Sequence, residues 1–252
     1  MINLKDFIFT ADDLITEKEA DIIISSYKES NQYNERCFES NTSLLKISSV
    51  KMNSLIPGTE AFDIVSRAND DLLRQYHEYL NSLEFIWTDG FFSTISYSHN
   101  YRLMRYNVGQ SIHDHTDKDH LIYGSATLSL NDDYDGGMFR FFKGKHKVRT
   151  KPYQGMVFPA ETYFIHGVEH ITRGTRWSVN SFLGTEECVI GEHLNEQGKW
   201  QQYNKNYWRH DSCVPYINIK QNNVNAFHEE FSSQEEFDDV MMGRKRKPHL
   251  ES

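Results

Sequence analysis

The 252-residue chain lacks several features that would place it in a class at once. It has no run of about 18 apolar residues, so the sequence predicts no transmembrane helix and no membrane partner. The beginning of the chain lacks the basic and apolar segments of a secretory signal peptide. Its three cysteines lie far apart without a Cys-x-x-Cys pair, which argues against a disulfide framework and against a thiolate zinc site. We therefore expect a cytoplasmic protein.

The chain also has fewer basic than acidic residues. The chain has 36 acidic residues against 27 lysines and arginines, for a formal net charge of −9. This balance disfavours binding to a phosphate backbone, and we expect no nucleic-acid partner. Aromatic residues make up 13% of the chain, more than a disordered chain carries. The 12 histidines are partly clustered, and histidine is the commonest metal ligand in proteins.

The hydrophobic pattern changes from helical to strand-like along the chain. Thr16 and Glu19 form a capping box ahead of a first helix, and a second helix begins at about Glu60. From Phe91 onward, apolar residues alternate in short runs separated by glycine-containing turns. We expect strands at 43–52, 101–106, 121–130, 138–142, 155–158, 163–166 and 175–183. This order predicts an α+β chain that is mainly β, with a sandwich or barrel.

The densest polar cluster is the segment 113–120, which contains three histidines and three aspartates. On an extended chain, residues two positions apart point the same way, so His115 and Asp117 can face one ion. Two histidines and one carboxylate suit non-haem Fe(II). The second histidine must come from elsewhere, and His166 and His170 are both candidates. A polar surface loop is the alternative interpretation of the segment.

A second polar feature follows on the strand that contains Arg176 and Ser178, whose side chains point the same way. A buried arginine needs an anionic partner, and the forked guanidinium matches a carboxylate. That partner is either an acidic side chain of the protein or, beside an iron site, a dicarboxylate cosubstrate.

These motifs together resemble those of the Fe(II)- and 2-oxoglutarate-dependent dioxygenases, in the prolyl 4-hydroxylase-like branch. The resemblance covers about residues 100–184, in the family's order and spacing. The matching motifs are Arg105-Tyr106 ahead of Gly109-Gln110, His115-Thr116-Asp117, Gly136-Gly137, and His166-Gly167-Val168 followed by Gly174-Thr175-Arg176.

The resemblance implies a role for each matched residue. His115, Asp117 and His166 would bind Fe(II), with His166 preferred to His170 because of its spacing to Arg176. Arg176 would bind the distal carboxylate of 2-oxoglutarate. The further residues expected at the cosubstrate are Tyr106, Thr127 and Ser178. Some relatives have a tyrosine at the position where this chain has Ser129. The sequence therefore does not predict the family's tyrosine contact with the cosubstrate at this position.

The family's fold is a double-stranded β-helix, or jelly roll, with supporting N-terminal helices. We accordingly expect one domain at 1–185 with its core at about 97–184. Residues 186–252 form an aromatic-containing extension packed on it, with a basic tail at 243–247. The expected enzyme consumes 2-oxoglutarate and O2, releases succinate and CO2, and hydroxylates an unactivated C–H bond. Ascorbate supports turnover in relatives.

Peptidyl proline is the substrate that the resemblance favours, and a free amino acid or another small molecule is the alternative. A metallo-β-lactamase-type hydrolase is a remote candidate, since its His-x-His-x-Asp-His signature is nearly matched from His113 to Asp117. However, Lys118 stands where that signature requires histidine. A non-catalytic binding module is disfavoured by the complete set of candidate ligands.

Overall fold

Local signals in the sequence determine where the two main helices begin. In the computed structural model, helix α1 spans Glu17–Ser25 and helix α2 spans Glu60–Ser82. The capping box is present: the Thr16 amide donates to the Glu19 carboxylate at 2.8 Å, and the Glu19 amide donates to the Thr16 hydroxyl. Helix α2 buries the apolar face that its spacing predicted, and it packs against α1 and two strands of the main sheet.

The structure describes residues 3–38, 45–84, 88–118, 122–184, 192–194, 200–202 and 207–209, all within one compact unit, Met1–Cys213. Two short 3-10 helices span Leu4–Phe7 and Glu29–Asn31, and a third α-helix, α3, spans Thr88–Thr94. The strands are β1 Phe9–Ala11, β2 Tyr33–Phe38, β3 Leu45–Ser54, β4 Tyr97–Tyr106, β5 Ile112–His115, β6 Ile122–Ser129, β7 Asp135–Gly136, β8 Phe139–Phe141, β9 His146–Val148, β10 Gly155–Pro159, β11 His166–Val168, β12 Ile171–Arg173, β13 Arg176–Gly184, β14 Glu192–Leu194, β15 Trp200–Gln202 and β16 Tyr207–Arg209.

Two antiparallel sheets dominate the fold. The major sheet has the strand order β1-β10-β6-β13-β4-β3-β2, and β16 also pairs with β4. The minor sheet has the order β5-β11-β8-β9. Chain neighbours such as β4 and β5, or β10 and β11, therefore lie in different sheets. This alternation gives the double-stranded β-helix, so the predicted α+β, mainly β jelly roll is confirmed.

The hydrophobic core draws on both sheets. Met104 and Phe158 come from the major sheet, and Ile112, Phe141 and Val168 come from the minor sheet; all are buried in one cluster. Burial of each such side chain contributes roughly 1.5–3 kcal/mol. Because the core holds the two sheets together, residues at the ends of strands in different sheets come into contact.

Several details differ from the sequence expectation. The strand expected at 163–166 instead begins at His166 and runs to Val168. The strand pattern expected from Phe91 begins only at Tyr97, because residues 88–94 form α3. Nine strands were not predicted at all: β1, β2, β5, β7, β9, β12, β14, β15 and β16. Most of them have only two to four residues, too few to show a period.

The predicted extension 186–252 is described only at its three short strands. One of them, Tyr207–Arg209, adds to the edge of β4, with Tyr207 opposite His99. The basic tail at 243–247 lies outside the described residues, and the packing of the extension as a whole stays a prediction. None of the described helices combines the length and apolar character needed to cross a bilayer.

Candidate functional site

Three polar side chains converge where the two short strands β5 and β11 pair. His115, the last residue of β5, lies directly opposite His166, the first residue of β11. Asp117 follows two residues after β5 and turns its carboxylate between the two rings. Its two oxygens lie 3.3 Å from His115 Nε2 and 3.3 Å from His166 Nε2. One ligand atom from each residue lies within 4.8 Å of the others, a spacing that could hold a metal ion.

Backbone carbonyl groups fix both imidazole rings. Nδ1 of His115 lies 2.9 Å from the carbonyl oxygen of His113, and Nδ1 of His166 lies 3.0 Å from that of Phe164. A carbonyl oxygen at this distance accepts the Nδ1 proton, so Nε2 is the atom of each ring that would bind a metal. The Nε2 atoms of both histidines therefore face Asp117.

The carboxylate of Asp117 is held in its charged form. Burial by itself raises the pKa of Asp117, but the charge of His166 and hydrogen bonds from both histidines outweigh it, and the pKa lies well below its usual range. The Ser125 hydroxyl on β6 also donates to Asp117 Oδ2 at 2.6 Å. One carboxylate and two imidazole nitrogens are the donor set that Fe(II) accepts in two-histidine, one-carboxylate sites.

Arg176 lies fully buried at the start of β13, on the major sheet. Its Nη1 donates to the Ser178 hydroxyl at 3.2 Å, while its Nε and Nη2 have no hydrogen-bond partner. The Tyr106 and Phe139 rings lie 4.7 and 5.1 Å from the guanidinium carbon. In the part of the chain that the structure describes, no carboxylate pairs with this arginine. A buried cation without an anion is strongly unfavourable, so the geometry fits an anionic ligand.

The remaining predicted cosubstrate residues lie in the same region. Tyr106, at the end of β4, is opposite Arg176 in the strand register and is fully buried. Thr127 on β6 is buried and donates to Asn180 Oδ1 at 2.8 Å. Tyr106 and Thr127 line one cavity together with His115, Asp117 and His166, whereas Ser178 contacts Arg176 behind it.

Sequence reasoning missed three contributors. Ser125 supports Asp117, and Asn180 and Phe182 line the cavity. Asn180 and Phe182 continue the alternation that begins with Arg176 and Ser178, so extending that pattern along β13 would have found them. Ser125 lies on the strand face that already included Thr127, but no local signal pairs it with Asp117.

The neighbouring histidines lie outside the candidate metal site. His170 contacts Ser111 at 3.3 Å in an exposed position. His113 contributes its carbonyl oxygen to His115. Among the described residues, His115, Asp117 and His166 form the one group of three potential ligands, whereas His120 falls outside them.

Comparison with known proteins shows what part of this chain resembles. Residues 101–184 match the family model described as the 2OG-Fe(II) oxygenase superfamily. The matched segment contains the candidate metal residues and Arg176. No curated protein matches this sequence.

Solved structures share this fold at low sequence identity. A prolyl hydroxylase from Trichoplax adhaerens, solved with a peptide fragment of the hypoxia inducible factor oxygen degradation domain, has a TM-score of 0.55 and 15% identity, covering 72% of this chain and 85% of that one. The viral collagen prolyl hydroxylase of Paramecium Bursaria Chlorella virus-1 has a TM-score of 0.52 and 14% identity, covering 71% and 96%. A Pseudomonas putida prolyl-4-hydroxylase has a TM-score of 0.51 and 18% identity, covering 71% and 93%. The chain thus has a prolyl hydroxylase-like fold.

Proposed function

We propose that this protein is a dioxygenase that hydroxylates proline residues within peptides or proteins, consuming 2-oxoglutarate and O2 and releasing succinate and CO2. The observation that carries the proposal is the pairing of two features in one site. The His115–Asp117–His166 cluster lines the same cavity as Tyr106 and Phe139. The rings of Tyr106 and Phe139 cover Arg176, a buried cation without an anionic partner among the described residues. The first feature fits Fe(II), and the second fits the distal carboxylate of 2-oxoglutarate.

In this proposal, His115 Nε2, His166 Nε2 and one oxygen of Asp117 hold the iron. The backbone carbonyls of His113 and Phe164 keep both rings in the orientation that metal binding requires. The Ser125 hydroxyl donates to Asp117 Oδ2 and so fixes the rotation of the carboxylate. Fe(II) with bound 2-oxoglutarate supplies the oxidising chemistry, and the three protein ligands leave coordination positions open for it.

The major sheet binds the other end of the cosubstrate. Arg176 offers Nε and Nη2 to a carboxylate, and Ser178 restrains the guanidinium through Nη1. The rings of Tyr106 and Phe139 cover the guanidinium and exclude water from it. In such a dry setting, a charge-assisted pair is stronger than in water, so the cosubstrate is held in one orientation.

An aromatic cleft near the metal cluster supports a peptide substrate. It is lined by Phe7, Phe91, Tyr123 and Phe164, among other residues. Tyr123 is two residues from Ser125 on β6, and the Phe164 carbonyl orients His166. Aromatic-lined grooves bind proline-rich segments, because such segments are already extended. The prolyl hydroxylase folds with TM-scores above 0.5 point to the same substrate class.

Succinate release tests the substrate class. The enzyme is supplied with Fe(II), 2-oxoglutarate and one of three candidates: a proline-containing peptide, the same peptide with alanine in place of proline, or free proline. We expect proline-dependent succinate and a gain of one oxygen atom in the peptide mass. Oxidation of free proline alone would favour the small-molecule alternative. An Asp117→Ala variant measures the background.

Two finer expectations also belong to the proposal. Ascorbate is expected to prolong turnover, and a reducing, cytoplasmic compartment suits a chain that binds Fe(II). The first is checked by counting turnovers with and without ascorbate, and the second by locating the tagged full-length protein in cells.

A further inference from the structure

An ion pair crosses the minor sheet beside the candidate metal ligands. Arg140 on β8 donates from Nε to Asp114 Oδ1 on β5 at 2.6 Å. Strand β11 lies between these two strands, so the pair spans three strands. Asp114 directly precedes His115, and Arg140 lies opposite Gly167, the residue after His166. The pair therefore links the residue before His115 to the register partner of the residue after His166.

The ion pair lies on the face opposite the metal cluster. Successive residues of a strand point to opposite faces. His166 and Phe141, which are register partners, face the core and the cavity. Gly167 and Arg140 are register partners on the other face. The contact thus supports the site from behind and does not line it.

Gly167 allows the side chains to cross. A Cβ atom at this position would lie 2.7 Å from the Ile112 carbonyl oxygen and 3.0 Å from Asp114 Oδ1. Both distances are too short for ordinary contacts, so a larger residue would push β5 away from β11. The absence of a side chain at 167 is what lets Asp114 and Arg140 meet above this strand.

The strand that carries His115 is irregular at this point. His166 pairs with His115, but Val168 pairs with Ile112, so one residue of β11 faces two residues of β5. Such a β-bulge leaves one residue unpaired in the ladder and redirects the side chains next to it. Arg140 also reaches this bulge, since its Nη2 donates to the Ile112 carbonyl oxygen at 3.3 Å. The guanidinium of Arg140 therefore contacts two residues of the irregular segment, Ile112 and Asp114.

We propose that Arg140, together with Asp114, is a positioning residue that locks the β5 bulge and so sets His115 against His166 for metal binding. The inference rests on the proposed iron site. The side chains of Arg140 and Asp114 are 24% and 29% exposed. Partly exposed ion pairs contribute little to global stability. We expect the pair to affect mainly the position of His115, because the segment that it holds ends at this proposed metal ligand.

The test compares two cross-strand ion pairs. Arg140→Gln removes the proposed clamp, and Arg140→Lys keeps the charge without the fork. The matched control is Arg173→Gln, which removes the Arg173–Asp135 pair between β12 and β7, where Nε also lies 2.6 Å from a carboxylate oxygen. Co(II) affinity of each metal-free protein is measured by calorimetric titration, and the thermal midpoint of unfolding is measured in parallel.

We expect Arg140→Gln to weaken Co(II) binding about 10-fold, as for outer-shell partners of metal ligands. Arg140→Lys should recover part of the loss, and Arg173→Gln should bind Co(II) like the unaltered protein. Equal Co(II) affinity in Arg140→Gln and Arg173→Gln would overturn the inference. If Arg140→Gln does not fold, Asp114→Asn replaces it, because it keeps the side-chain volume, with the same expected direction.

The outcomes separate this inference from the proposed function. If the unaltered, folded protein binds no Co(II) or Fe(II), the iron site itself is wrong and both proposals fall. If it binds metal and only the role of Arg140 fails, the proposed function stands.

Discussion

The two sheets of the jelly roll hold their functional residues in different ways. The minor sheet presents His115 and His166 on strands of four and three residues. The major sheet presents Arg176 on a strand of nine residues, paired along its length with β4 and β6. The candidate metal site therefore depends on local supports: backbone carbonyls, the Arg140–Asp114 pair and, from the major sheet, Ser125. The candidate cosubstrate site depends on an extended hydrogen-bonded ladder.

Metal binding and cosubstrate binding should therefore be separable. Side chains that contact the candidate metal ligands or hold their strands are expected to control metal affinity. Side chains of the major sheet that do not contact those ligands are expected to control the requirement for 2-oxoglutarate.

Replacing His166 by alanine should abolish both metal binding and turnover, because two ligands remain of three. His170→Ala is the matched control, since this exposed histidine contacts Ser111 outside the metal cluster. Metal titration and succinate release are measured for both variants. Full activity in His166→Ala with loss in His170→Ala would reverse the assignment.

Arg176→Ala should raise the 2-oxoglutarate concentration needed for turnover. Removing one partner of a buried charge pair costs about 3 kcal/mol, or roughly 100-fold in affinity. The 2-oxoglutarate concentration that Arg176→Lys needs should lie between those of the unaltered protein and Arg176→Ala, since lysine keeps the charge without the forked guanidinium. Metal affinity without cosubstrate should not change in either folded variant. An unchanged 2-oxoglutarate KM would contradict the role given to Arg176.

Ser125→Ala should weaken metal binding about 10-fold. The variant loses the 2.6 Å hydrogen bond to Asp117, and hydrogen bonds to charged groups contribute about 1.5–3 kcal/mol. Ser129→Ala is the comparison on the same strand face, because the buried Ser129 hydroxyl has no hydrogen-bond partner. Equal metal affinity in these two variants would show that Ser125 does not support Asp117.

Thr127→Val should have the smallest effect. It removes the hydrogen bond to Asn180 on the major sheet, and a neutral hydrogen bond contributes about 1 kcal/mol. We expect a 2-oxoglutarate KM up to about 5-fold higher with unchanged metal affinity. The 2-oxoglutarate KM is measured in steady state and metal affinity by calorimetric titration. A loss of metal affinity in Thr127→Val would contradict the separation of metal binding from cosubstrate binding.

The sequence predicted those parts that depend on local or periodic signals. The capping box at Thr16 and the long strand that begins at Arg176 follow from such signals. The metal cluster was predictable as a His-x-Asp pair with a distant histidine. The choice between His166 and His170 needed the family resemblance, because periodicity treats both alike. The structure brings His166, and not His170, to Asp117.

Other features could not be predicted because they depend on tertiary contacts or on very short strands. Strand β5 has four residues, and its polar sequence left a surface loop as the alternative interpretation. The contact of Ser125 with Asp117 and the contact of Arg140 with Asp114 join residues from different strands. No spacing in the sequence encodes them, since they arise from register and from the bulge beside His115.

The central claim is that one site binds Fe(II) through the minor sheet and 2-oxoglutarate through the major sheet. Anaerobic titration of the metal-free protein with both, followed by visible absorption, tests it most directly. We predict a charge-transfer band that needs both additions, is absent in His166→Ala, and needs more 2-oxoglutarate in Arg176→Ala. A folded, unaltered protein that shows no such band with both present would contradict the claim.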